Sequence, residues 1–370
     1  SNGKIARVSL PDAFGSSLGS GVEYVSARNE TEAKLVVIWE NVLGKSGIGI
    51  KDNFFELGGH SLKAIQMINV IRKEFNYKLP VSVLYENHTI ELVSKAIVVK
   101  DNSKILVKMN PKGSKKPFFF VPTIIGDVFS FHALSELLGE NQPFYGFQSP
   151  NLYLSKGQTS YSIPEIAGKI ISEMRKIDPE GPYTIGGYSY GGLIVYEICA
   201  QLQDQGIKLD EVFFIDCKPP QEIKTIDRFE IKDSIVSFCN MINFMNSARN
   251  KANLAIDLDK IEKETLENQF SYLYDSLINL GFLFSREMLE SYVYEYMRSV
   301  QNTIKYTPPH IKIDAGIKLI KSYDKGNETN DYGWKDFSYE NKLMTIEIDC
   351  DHLELLNKEN ILKYIHILKK

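Results

Sequence analysis

The segment that most limits what this chain can become runs from Tyr183 to Gly206, YTIGGYSYGGLIVYEICAQLQDQG. A β-like apolar run leads into Ser189, which has Gly187 and Gly191 two residues to either side. A helical run follows and stops at Gly206. A G-x-S-x-G triplet alone is expected by chance about 0.1 times in a chain of this length, so the flanking elements carry the inference. Together they predict a strand, a tight turn and a helix, with the serine hydroxyl lifted to the C-terminal edge of a sheet. The glycines are needed because strand and helix approach closely at such a turn.

A serine hydroxyl is a weak nucleophile until a base takes its proton and an acid orients that base. In sheets with this turn the chain order is serine, then Asp or Glu, then histidine. EVFFIDCKPP ends a β-like run at Asp216, the expected acid, and MTIEIDCDHLELL ends another and supplies His352, the expected base. Asp349 and Asp351 lie beside His352 and stand as alternative acids, while His310, after TPP, is the runner-up base. His60, His88 and His132 precede the serine, and His366 sits in an apolar C-terminal helix. An oxyanion would be met by the backbone N–H of Tyr190 and by one from the loop in FFFVPTIIGD, with Ile124 the expected donor and Thr123 the alternative.

With 370 residues the chain has room for two domains. From residue 100 to 370 the short runs ILVKM, PFFFVP, PFYGF, PYTIGGYS, EVFFID, GIKLIKSY and MTIEID alternate with helical segments, which predicts an α/β domain with a mostly parallel sheet. Residues 222–302 break the alternation. They read as amphipathic helix, mix Phe244, Met245, Leu273, Leu277 and Phe282 with many charges, and are expected to form a lid over Ser189. Residues 29–99 read as a small bundle of about four helices, and residues 1–28, rich in Ser and Gly, as a tail or linker.

Composition narrows the function classes. A net charge of −4 gives no basic field for nucleic acid. The longest apolar stretch, FFFVPTII, is broken by Pro122 and falls well short of the ~20 residues that span a bilayer. No leader pattern is visible at the N-terminus. Cys199, Cys217, Cys239 and Cys350 lie far apart with no C-x-x-C spacing, so neither a metal site nor a disulfide framework is indicated and a reducing, cytoplasmic setting is expected.

The stretch DNFFELGGHSLKAI, Asp52 to Ile65, poses a separate question, because it places Ser61 at a loop-to-helix junction. Serine is a good helix N-cap, and that role alone would explain it. The whole pattern, D-x-F-F-x-L-G-G-x-S-L, nevertheless resembles the carrier-protein motif of nonribosomal peptide synthetases, and its chance expectation is below about 10⁻⁶. The resemblance implies that Ser61 carries a 4′-phosphopantetheine arm in phosphodiester linkage, added by a phosphopantetheinyl transferase. Phe54, Phe55 and Leu57 would anchor the loop.

PFYGFQSPNL, GPYTIGGYSYGG, VFFIDCKPP and DCDHLELL are similar, in that order, to the type I thioesterase that ends such synthetases, an α/β-hydrolase with a helical lid. NGKIARVSLP resembles the closing motif of an adenylation domain, with Ala6 where Asp is usual and Lys4 matching a catalytic lysine that has no partner here. The resemblance therefore implies a carrier–thioesterase unit that takes an acyl or peptidyl thioester, passes it to Ser189, and releases it by hydrolysis or cyclisation. Upstream condensation and adenylation domains would be its partners, with no nucleic acid and no membrane. Two rivals are a stand-alone serine esterase or lipase-like hydrolase, against which the Ser61 motif argues, and a non-catalytic carrier and docking module, against which the Ser–Asp–His order argues. No G-x-G-x-x-G follows a strand, so a reductive terminal domain is not indicated.

Overall fold

The architecture comes from a computed structural model that describes residues 23–59, 61–75, 79, 82–99, 105–154, 157–220, 235–240, 242, 256–262, 264–279, 285–323 and 331–369. The chain divides into two compact units between Asn102 and Ser103. The resemblance to an adenylation-domain ending in NGKIARVSLP lies outside the described residues.

In the first unit the helices are α1 (Glu30–Leu43), α2 (Ser61–Phe75), the single turn α3 (Val83–Glu86) and α4 (Ile90–Val99). Asn29 starts α1 by accepting the Glu32 N–H at 2.9 Å, and Gly44 ends it in the left-handed region at φ 69°. The core joins Leu35 and Trp39 of α1, Leu84 of α3, and Ile90 and Val93 of α4. From α2 it takes Ala64, Met67, Ile68 and Ile71, spaced for one helical face, while Ile65 is only half-buried. The long loop before α2 fills the same core with Ile48, Ile50, Phe54 and Leu57, and Phe54 meets Trp39 edge-on at 5.9 Å. Phe55, half-buried, stacks on Tyr85 at 5.1 Å. The apolar residues of that loop are therefore packing groups, which fixes the approach to Ser61.

The second unit is built on a sheet whose described strands follow the order β1-β3-β2-β4-β5-β6-β7. They are β1 (Leu106–Asn110), β2 (Phe118–Phe120), β3 (Phe144–Phe147), β4 (Tyr183–Tyr188), β5 (Leu209–Ile215), β6 (Gly316–Ser322) and β7 (Leu343–Ile348). Each arises from one of the runs expected to be strands. Only β1 pairs antiparallel, with β3; the other pairings are parallel. The central strands are apolar without alternation because both faces are covered. Phe119, Ile185, Val212, Phe214 and Leu319 share one cluster with α6 (Ile163–Ile177) and α7 (Gly191–Asp204). Among the other residues of these strands, Phe118 packs on Phe213 at 5.0 Å, and Phe120 meets Phe131, just before α5 (His132–Leu138), at 4.8 Å.

Register positions the site. Tyr188 pairs with Ile215, Ile215 with Ile320, and Ser322 with Ile348. The C-terminal ends of β4 to β7 therefore finish nearly flush, and residues just past them share one edge.

The described helices between β5 and β6 include 235–240, Leu258–Glu262, Leu266–Asn279 and Arg286–Lys305. Leu273 and Leu277 are fully buried; Phe244, Met245 and Phe282 lie outside the described residues. The final helix is fastened to the body of this unit. Arg298 Nη1 donates to Asn151 O at 2.9 Å and Asn302 Nδ2 to Tyr161 O at 2.8 Å. Among the described residues no helix is long and apolar enough to cross a membrane.

Candidate active site

Ser189 is the first residue past β4 and has φ 54°, a left-handed conformation that a serine rarely adopts. Such strain persists where the surroundings hold it, and here they do. Ser189 N–H donates to Ile215 O, and Gly192 N–H returns to Ser189 O, both at 2.9 Å. The glycines of the motif have no room for side chains. A Cβ on Gly187 would lie 2.7 Å from the backbone of Gly191, and one on Gly192 would lie 2.4 Å from Cys217 Cβ. Gly187→Ala is thus expected to destabilise this unit by about 1–3 kcal/mol or more, as overpacking against backbone does, measurable as a shift in denaturant midpoint.

Asp216 is likewise the first residue past β5, with φ 50°, and its N–H donates to Ile320 O at 2.7 Å. His352 lies beyond β7 and opens a single 3₁₀ turn, His352–Glu354. Its Nε2 is 3.0 Å from Ser189 Oγ, and its Nδ1 is 2.7 Å from Asp216 Oδ2. A carboxylate can only accept, so Nδ1 carries the proton and Nε2 faces the serine hydroxyl as acceptor. The acid side chain is 5% exposed and the imidazole 40%, so the acid is dry while the ring is open to incoming groups.

Burial would raise the Asp216 carboxyl, but hydrogen bonds from His352 and Ser322 outweigh it and hold the group below the usual carboxylate range. Ser322, at the end of β6, gives both its N–H, 2.9 Å to Oδ1, and its hydroxyl, 2.6 Å to Oδ2. Tyr332 adds its hydroxyl at 2.8 Å to Oδ1. Trp334 stacks on Phe214 at 3.8 Å and donates Nε1–H to Cys217 O at 2.7 Å, which pins the segment that carries the acid. Tyr188 stacks on the imidazole at 4.9 Å and donates its hydroxyl to His352 O at 2.8 Å.

The sequence reading missed Ser322, Tyr332 and Tyr188 as supports. Ser322 had a signal, since it ends a strand beside the acid's strand, and Tyr188 adjoins the serine. Tyr332 arrives from a connection whose length gives no spacing rule.

The alternatives lie elsewhere. Asp349 and Asp351 are exposed, and the Asp351 N–H meets Glu354 Oε2 at 3.3 Å within the turn that His352 opens. His310 is exposed, with its ring 6.4 Å from that of Phe337. Cys217, next to the acid, is buried, and burial pushes its thiol well above the ordinary range, so it is no competing nucleophile.

Tyr190 precedes α7, where backbone N–H groups are free of helical partners. Ile124 lies in a turn closed by Gly126 N–H donating to Thr123 O at 2.9 Å. That turn adjoins the elbow: Val121 N–H donates to Gly186 O at 3.0 Å, and a Cβ on Gly191 would lie 3.0 Å from Pro122 O. Thr123 is buried and its hydroxyl has no partner, while Ile124 is half-buried against the core.

In the first unit Ser61 lies in the first turn of α2 as described, Ser61–Phe75. The approach suits a modified hydroxyl. Gly58 has φ 90°, and a Cβ on Gly59 would lie 2.4 Å from the Phe54 ring, so the loop passes close to the core without side chains of its own.

A seven-stranded, mostly parallel sheet, with a strained serine at the end of β4 and a Ser–His–Asp hydrogen-bond chain, defines an α/β-hydrolase. The thioesterase-domain family matches residues 116–368, and the chain belongs to that family; the phosphopantetheine attachment site family matches residues 33–97. The chain is therefore a carrier domain joined to a thioesterase domain, and the carrier domain is the place of covalent phosphopantetheine attachment.

Among curated proteins it is similar to chondramide synthase cmdD of Chondromyces crocatus, 27% identical over 97% of this chain and 9% of that protein. It is also similar to indigoidine synthase of Streptomyces lavendulae, 27% identical over 93% of this chain and 27% of that protein. The chain thus spans a small part of these relatives' length. Among solved structures, holo-AB3403, a four-domain nonribosomal peptide synthetase bound to AMP and glycine, matches with a TM-score of 0.65 and 25% identity, over 99% of this chain and 27% of that one. The Vlm2 thioesterase domain shares the fold, with a TM-score of 0.51 over 71% of this chain and 95% of its own, at 21% identity.

Proposed function

We propose that this chain is the terminal carrier–thioesterase unit of a nonribosomal peptide synthetase, with Ser189 as nucleophile, His352 as general base and then acid, and Asp216 as orienting acid. The observation that carries the reading is the unbroken chain from Ser189 Oγ to His352 Nε2 at 3.0 Å and from His352 Nδ1 to Asp216 Oδ2 at 2.7 Å. Ser61 would hold the phosphopantetheine, which when bound supplies a terminal thiol on a long flexible tether for an acyl or peptidyl thioester.

The protein's own part begins at Ser189. His352 Nε2 takes the hydroxyl proton as Oγ attacks the thioester carbon, and Asp216 stabilises the resulting imidazolium. The amides of Tyr190 and Ile124 receive the oxyanion. The imidazolium then returns its proton to the departing thiolate, leaving an ester on Ser189. Water, or an amine or hydroxyl within the acyl chain, attacks that ester with His352 again as base. Because one chain carries both domains, the carrier's effective concentration at the nucleophile is high.

A phosphopantetheinyl transferase, upstream condensation and adenylation domains, and a cytoplasmic setting belong to this reading. A stand-alone esterase would have no use for the carrier domain, and a docking module would have no use for the triad. The test is intact-protein mass spectrometry after loading candidate acyl chains. Transfer from the carrier to Ser189 and release of an identified product are expected in the wild type. Acyl chains that stay on the carrier indefinitely would sink the reading.

Gating by the helical insertion belongs to the same reading, confined to residues before Ser285, since the helix Arg286–Lys305 is fastened to the body. Amides of Leu266–Asn279 are expected to exchange faster than those of β4 to β6, and to slow when Ser189 carries a non-hydrolysable acyl group. Protection equal to that of the central strands, unchanged on acylation, would show a fixed subdomain instead.

A further inference from the structure

The helix Arg286–Lys305 turns Glu295, Arg298, Ser299 and Asn302 inward, all of them buried. Arg298 and Asn302 tie the helix to backbone carbonyls of the body. Glu295 meets the body through the Ser149 side chain. It is 1% exposed; Ser299 Oγ donates to its Oε1 at 3.3 Å, and its Oε2 has no hydrogen-bond partner.

What surrounds Glu295 gives it a purpose. A Cβ on Gly126 would lie 2.8 Å from Glu295 Cγ and 3.0 Å from Ser149 Cβ, so the Gly126 backbone rests on the glutamate. Gly126 closes the turn that contains Ile124, and its carbonyl accepts from Ser149 N–H at 2.8 Å. The ring and hydroxyl of Tyr190 are also buried. Ser299, Asn302 and the Glu295 charge all act on that hydroxyl. One carboxyl thus touches the turn that bears one expected oxyanion donor and acts on the side chain of the residue that bears the other.

We propose that Glu295 is a positioning residue that holds the Ile124 turn and Tyr190 in place for the oxyanion of the acyl-transfer reaction; this rests on the functional reading above.

The protonation of Glu295 supports the role. Burial pushes its carboxyl up to about 8, against weaker pulls from Ser149, Arg298 and Ser299. Below that value the carboxyl is protonated, and one of its oxygens is then a donor. Ionised, it would be a buried charge with no hydrogen-bonded ion pair. The folded-state value lies above the ordinary one, so the arrangement is firm at low pH and weakens as pH rises through about 8. Tyr190 acts on it from the turn before α7, Ser149 from the loop after β3, and Arg298 and Ser299 from its own helix. Asp127, beside Gly126, is a second buried carboxyl, raised to about 7 and bonded by Phe129 N–H and Tyr292. A pH profile must therefore separate the two carboxyls.

The experiment is steady-state turnover of a small acyl thioester by the whole chain, across the neutral to alkaline range, for the wild type, Glu295→Ala, Glu295→Gln and Ser189→Ala. Glu295→Ala is expected to lower kcat between about 10- and 100-fold with little change in KM, less than the ~10²–10³ that follows loss of an oxyanion donor outright. Glu295→Gln, isosteric and unable to ionise, is expected to recover most of that loss and to lack the fall in kcat that the wild type shows above about pH 8.

A wild-type kcat in Glu295→Ala, or an alkaline fall that persists unchanged in Glu295→Gln, overturns the assignment, the second outcome by handing the titration to Asp127. If Glu295→Ala does not fold, the profile of Glu295→Gln alone decides. Ser189→Ala keeps the two levels apart: turnover surviving in that variant overturns the acyl-transfer reading itself.

Discussion

Asp216→Asn is expected to lower kcat for a small acyl thioester by up to about 10⁴-fold, the size of the loss when the orienting acid of a serine triad becomes an amide. Every contact made to Asp216 is a donor: Ser322 N–H and Tyr332 hydroxyl on Oδ1, Ser322 hydroxyl and His352 Nδ1 on Oδ2. An asparagine has one acceptor oxygen, and the backbone N–H of Ser322, which cannot rotate, claims it. The amide NH₂ is then left facing Ser322 Oγ and the imidazole. A serine hydroxyl can switch to accepting, and His352 can switch too, but only by moving its proton to Nε2. In that tautomer the nitrogen facing Ser189 is a donor and no longer a base. Asp349→Asn should leave kcat nearly unchanged, because that side chain is exposed and takes no part in the Ser–His–Asp chain. The reverse ranking in a kinetic comparison would move the acid to the loop beside His352.

Ser61→Ala is expected to abolish arm attachment while leaving the hydrolase unit active on a free thioester. Incubation with a phosphopantetheinyl transferase and coenzyme A should add one arm's mass to the wild type and none to the variant. The hydrolase unit should unfold at the same denaturant concentration in both, since it forms its own compact unit beginning at Ser103. An arm on the variant would place the modification at another serine. Loss of free-thioester turnover in the variant would mean that the two units depend on one another for more than delivery.

The triad was legible because it obeys backbone rules. Two of its members are each the first residue past a strand, and parallel register brings strand ends together whatever the side chains between them. The seven strands were legible for a related reason: doubly covered strands are runs of Phe, Ile and Val, and this sequence has few such runs outside them.

Less could be read where a role depends on approach from distant sequence. Tyr332 reaches Asp216 from 116 residues away, and no period or spacing announces it. Glu295 looks like one more surface charge on an amphipathic helix until the Gly126 backbone is found against it. In the first unit, the buried face of α2 takes Ala64 and Met67 and leaves Ile65 half-buried, which a count of branched aliphatics would not place.

The flush ends of β4, β5 and β6 bear on how such a unit could be re-engineered. Ser189 and Asp216 are held by main-chain bonds to neighbouring strands, Ser189 N–H to Ile215 O and Asp216 N–H to Ile320 O. Their separation belongs to the sheet and owes nothing to the helices inserted between β5 and β6. A graft that exchanges substrate preference between relatives can therefore replace chain from just after Pro220 without retuning the nucleophile. Its second junction should fall before Ser285, because the helix that begins there is bolted to Asn151 and Tyr161 and carries Glu295. Chimeras joined at Asn302, the end of the insertion as read from sequence, would exchange most of that helix against a foreign body and lose the carboxyl that lies against the Gly126 backbone.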